Sequence, residues 1–148
     1  MSEKIGFVLD IFLIAAISLL QSLNLISFAG IKPNLILVFL IISIFSVKDF
    51  WQYIVLVIIS LFFLNYFSIF SKELIIFGAI MILAYYSKIL FSEHAFFSIL
   101  LLILFLTPVF YLLIDPLFIF NNFNVFIKEL IFNFIAGLIF SFLIKNPF

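Results

Sequence analysis

The residues able to do chemistry are few in this chain. Its 148 residues include seven acids, seven lysines, a single histidine and no cysteine. The absence of cysteine excludes disulfides, zinc–thiolate sites and cysteine nucleophiles. The histidine, His94, stands beside Glu93 in what reads as a turn between two apolar runs. One histidine cannot assemble a metal cluster, and adjacent residues on a helix point apart. There is no glycine-rich phosphate loop, no nucleophile motif and no carboxylate pair of catalytic spacing. The sequence therefore predicts a protein without catalytic groups, cofactor or metal.

What remains is a set of polar residues within apolar runs, where ionisable groups are functional candidates by default. Asp10 lies about a turn inside the first run. We read it as an acid near the headgroups, favoured by the positive end of the helix dipole. Gln21, Ser22 and Asn24 close that run, either as interhelical hydrogen-bonding groups or as the start of an aqueous loop. Asn65 falls late in the third run and calls for a hydrogen-bonding partner on another helix. Pro108, preceded by Thr107, should kink the fifth helix, with Thr107 and neighbouring helices re-satisfying the freed carbonyl. Glu129, Asn133 and Gly137 recur every four residues and share one helical face. Gly137 allows close approach and Asn133 offers a hydrogen bond, so this face is read as a packing or partner-binding stripe.

The elements that must hold these residues follow from composition. Hydrophobic residues make up 68% of the chain and charged residues 9%, against about a half and about a quarter in soluble domains. So few charges cannot cover a soluble surface. A lipid environment removes that need, and the mean hydropathy of +1.51 agrees. The excess of Phe, Ile, Asn and Lys reads mainly as the mark of an AT-rich genome, so the 25 Phe residues are not taken as recognition sites. Net charge is zero, which gives no reason to expect nucleic acid or anionic lipid as a partner.

Charges and prolines divide the chain into six spans, at about 5–25, 34–47, 51–67, 74–91, 95–114 and 125–144. The runs are continuous rather than alternating, which favours helices over barrel strands. The prediction is an all-α, polytopic transmembrane helix bundle forming a single membrane domain. The first run lacks a small-residue cleavage site and reads as a retained helix. The second is short: its 14 or so positions reach about 21 Å, less than a typical hydrocarbon core. The connection from Asp115 to Asn124 has an apolar centre and reads as interfacial. With both termini inside, Lys4, Lys48, Lys88 and Lys145 are cytoplasmic, and Lys32, Lys72 and Lys128 are outside. That four-to-three balance favours this orientation in the inner membrane.

Three segments carry a resemblance to a known family. They are Leu20-Gln21-Ser22-Leu23-Asn24-Leu25, the turn Gly30-Ile31-Lys32-Pro33-Asn34-Leu35, and Leu130-Ile131-Phe132-Asn133-Phe134-Ile135-Ala136-Gly137. Together with size and span number, they resemble MreD, a membrane subunit of the bacterial rod-shape machinery. Members often carry a glycine-rich third helix with an Asp near its end. The glycines are missing here, and Asn65 takes the place of the Asp. The resemblance implies a non-catalytic scaffold that binds the bitopic partner MreC and supports peptidoglycan synthesis. The rival expectation is a substrate-binding subunit of an energy-coupling-factor type transporter, similar in size and span count. A pocket of convergent polar and aromatic groups would mark the transporter; an apolar partner groove would mark the scaffold.

Overall fold

The computed structural model of the protein describes residues 2–23, 25, 27, 31–64, 71–89 and 95–145. Its regular elements are seven helices: α1 (Ser2–Ser22), α2 (Leu35–Ser46), α3 (Phe50–Leu64), α4 (Lys72–Ser87), α5 (Ala95–Ile114), α6 (Pro116–Asn121) and α7 (Phe123–Lys145). No strand occurs among the described residues. Two stretches, Ala95–Ile114 and Phe123–Phe142, are long and apolar enough to cross a membrane.

Local chemistry sets several boundaries. Asn34 caps α2, its side chain accepting from the Leu37 amide at 3.1 Å. Such a cap satisfies one of the amides a helix leaves unpaired at its start. Asp115 caps α6 by accepting from the Leu117 amide at 3.1 Å, and Pro116 follows at the first turn, where its missing N–H costs nothing. The connection expected to be apolar and interfacial is thus a short helix, with Leu117 and Phe120 exposed.

α2 is the axis of the bundle. It packs against α1, α3, α4, α5 and α7, and residues 36–44 are all buried. A helix apolar on every side has no face to give to water and belongs inside. This accounts for the run that looked too short to span. At about 18 Å for 12 residues, α2 is enclosed by its neighbours.

The outer helices are apolar outward. On α7, Ile131, Ile135, Ile139 and Phe142 are exposed, while Glu129, Asn133 and Ser141 are buried. α1 exposes Val8, Leu9 and Phe12, α3 Ile58 and Phe62, and α5 Phe97, Leu101 and Phe105. A soluble helix shows the reverse arrangement, with its polar face outward.

Candidate functional site

α2, α4 and α7 begin at one end of the bundle, where α1, α3 and α5 finish. The polar candidates gather there. Asn133 lies midway along α7 and is fully buried. Its Oδ1 accepts from the Asn34 backbone amide at 2.8 Å. Its Nδ2 donates to Thr107 Oγ1 of α5 at 3.5 Å. Gln21, at the end of α1, donates from Nε2 to Asn34 Oδ1 at 3.3 Å and accepts from the Ile36 amide at 3.2 Å. One turn residue, Asn34, is therefore held by α1 and α7 while capping α2. Buried amides must find partners, and here each partner comes from a different helix.

The second part of the site is a pair. Tyr111 of α5 donates its hydroxyl to Glu129 Oε2 of α7 at 2.5 Å. The Tyr111 ring stacks on Phe118 of α6 at 4.9 Å and meets Phe126 edge-on at 5.8 Å. Glu129 is only 5% exposed, so the phenol satisfies a carboxylate that burial would otherwise penalise.

Below this pair, Gly137 faces Ile103 and Leu100 where α7 packs on α5. A Cβ at Gly137 would overlap Ile103 Cδ1 and lie 3.8 Å from Leu100 Cδ2. Ser141, four residues on, is buried and donates to the Gly137 carbonyl. The face seen in sequence as Glu129, Asn133 and Gly137 thus continues to Ser141 and is turned inward along its length.

Gln21, Asn34, Tyr111 and Glu129 open on a crevice of about 280 Å³. Its walls include Gln21, Lys32, Asn34, Glu73, Tyr111 and Glu129, with Phe77 and Phe110 as apolar surface. Lys32 and Glu73 are exposed at its rim, and Pro33 is buried behind the turn.

The remaining candidates stand apart. Asp10 is half-buried on α1, about three turns from Gln21 and the crevice. Pro108 lies inside α5, and the neighbouring Thr107 hydroxyl accepts from Asn133. Asn24, Asn65, Glu93 and His94 fall outside the described residues. Gln21 is tied to the Asn34 turn rather than opening an aqueous loop. Ser22 donates to the Leu19 carbonyl of its own helix at 2.9 Å. Tyr111 was not singled out from the sequence. Its signal was a phenol near the end of one span, with an acid near the start of the next.

The opposite end has its own polar contacts. Lys88 donates to the Val47 carbonyl at 3.0 Å, and Tyr85 to the Lys48 carbonyl at 3.3 Å. Between α4 and α5 runs a second cavity of about 580 Å³, lined by apolar residues that include Leu83, Ala84, Leu101 and Phe105.

Comparison with protein-family models, curated proteins and solved structures gives no match to this chain.

Proposed function

We propose that the protein is a non-catalytic membrane scaffold of the MreD kind. In this reading α1–α5 and α7 are its six spans, and both termini are cytoplasmic. The observation that carries the reading is the apolar groove between α4 and α5. It lies on the flank of the bundle, and Leu83, Leu101 and Phe105 project from it with more than half of their surface exposed. In lipid, helices associate through packing rather than through a hydrophobic drive, so a shaped apolar groove suits the spanning helix of a bitopic, MreC-like partner. Support also comes from the three segments that resemble MreD. They meet at one place, through Gln21, Asn34 and Asn133.

Co-purification with the MreC protein of the same cell tests the reading. Leu83→Ala and Phe105→Ala should weaken the complex while leaving the bundle intact, because both side chains project outward. Loss of the protein should round rod-shaped cells. No complex with MreC, together with unchanged cell shape, overturns the proposal. Topology is testable too, since the chain lacks cysteine. Cysteines placed at Lys32 and Lys72 should label from outside, and those at Lys48 and Lys88 from the cytoplasm.

The crevice favours a second reading, a substrate-binding subunit of an energy-coupling-factor type transporter. It has the convergent polar and aromatic lining of a small-molecule pocket. Stable co-purification with an ATPase and its membrane coupling subunit, rather than with MreC, would favour this second reading.

A further inference from the structure

We propose that the crevice at the α2 N-terminal end binds a primary ammonium group, with Glu129 and Glu73 as its counter-charges. The proposal is independent of the scaffold reading, since it concerns the polar end of the bundle and not the apolar groove.

Charge comes first. Among the described residues, the ionisable walls are two carboxyls, Glu73 and Glu129, and one ammonium, Lys32, beside the phenol of Tyr111. With both carboxyls ionised beside a bound cation the balance is one negative charge, set against apolar walls that strengthen electrostatic attraction. Glu129 is the deeper group, nine-tenths or more buried. Tyr111 occupies one lone-pair site on Oε2. An ionised carboxylate has about four such sites, so acceptor capacity remains for an ammonium donor. Glu73 is exposed in the first turn of α4 and would guide a cation to the opening.

Shape and surface agree. Phe77 and Phe110 meet edge-on at 5.6 Å, and with Tyr111 they give the crevice aromatic walls. Aromatic faces attract cations. The volume of about 280 Å³ is just under the ordinary pocket range of ~300–1,000 Å³, so the group admitted is compact. Two sources carry this chemistry: a free alkylamine, or the headgroup of phosphatidylethanolamine.

The test uses the full-length protein in detergent and in nanodiscs. Ethanolamine is titrated while thermal unfolding is followed, with ethylene glycol as uncharged control and sodium chloride at matched ionic strength. Native mass spectrometry then compares retention of phosphatidylethanolamine with that of phosphatidylglycerol. The expectation is a saturable rise in Tm with ethanolamine, or selective retention of phosphatidylethanolamine. The first result identifies a free amine and the second a lipid headgroup. Glu129→Gln should weaken either by about tenfold or more, as expected when a hydrogen bond to a charged group is lost. Its amide oxygen still accepts from Tyr111, which preserves the fold. Glu73→Gln, at an exposed position, should weaken binding less. Absence of both effects in the unaltered protein overturns the proposal, as does binding that survives both substitutions.

Discussion

Replacing Asn133 tests whether the polar end of the bundle is held by hydrogen bonds or by volume. Asn133→Ala removes the acceptor of the Asn34 amide, now made at 2.8 Å, and the donor to Thr107. An amide left unpaired in a buried place costs about 1–3 kcal/mol. Alanine recovers up to roughly 0.7 kcal/mol through its better helix propensity. The net expectation is a loss of about 0.3–2.3 kcal/mol, nearer the lower figure in the proposed membrane setting, where interhelical hydrogen bonds average only ~0.6 kcal/mol. Asn133→Leu fills the same space without polar atoms and should lose a similar amount. Equilibrium unfolding in mixed detergent micelles, followed by circular dichroism, measures both. A double-mutant cycle with Gln21→Ala should show coupling, because both side chains hold Asn34. If Asn133→Leu proves as stable as the unaltered protein while Asn133→Ala does not, the site is held by volume and the hydrogen-bond argument is wrong.

Three further outcomes follow from the same packing. Gly137→Leu should disrupt the α5–α7 contact, because even a Cβ there meets the fully buried Ile103; Phe142→Leu on the exposed face should stay within about 0.5 kcal/mol in the same unfolding assay. Tyr53→Phe should be neutral or stabilising, since the Tyr53 hydroxyl is buried without a partner among the described residues and an unpaired buried group costs about 1–3 kcal/mol; a clear loss of stability would count against it. Tyr111→Phe should destabilise by about 1.5–3 kcal/mol, the range for hydrogen bonds to charged groups, and Glu129→Gln by less, which unfolding of the two variants side by side would check.

The sequence marked ends of helices better than it marked their surroundings. α5 occupies residues 95–114, bounded as its flanking Glu93-His94 and Asp115-Pro116 suggested. α2 begins one residue after Asn34 because that side chain caps it. α7 starts at Phe123, two residues before the expected 125, after the turn at Asn122. The inward face of α7 was legible because polar and small residues recur every four positions in an apolar background. The central place of α2 was not legible. Uniformly apolar residues carry no periodicity, and periodicity is what tells one face from another. Nor could spacing reveal that Asn133 meets Asn34, a contact across 99 positions of chain.

Those contacts bear on how α2 keeps its register. Its only buried polar side chain, Ser43, donates to the Phe39 carbonyl of its own helix at 2.9 Å. Nothing polar along its middle therefore ties it to a neighbour, and apolar side chains can slide past one another with little change in buried area. Its ends are different. At the start, Asn34 is held by Gln21 and Asn133; just past the end, the Val47 and Lys48 carbonyls accept from Lys88 and Tyr85. A shift by one helical turn, about 5.4 Å, would break the contacts at both ends together. The polar groups at the two ends of the bundle thus fix the position of a helix that its own apolar surface leaves unspecified. A side chain such as Asn133 can then govern the placement of α2 while lying on α7.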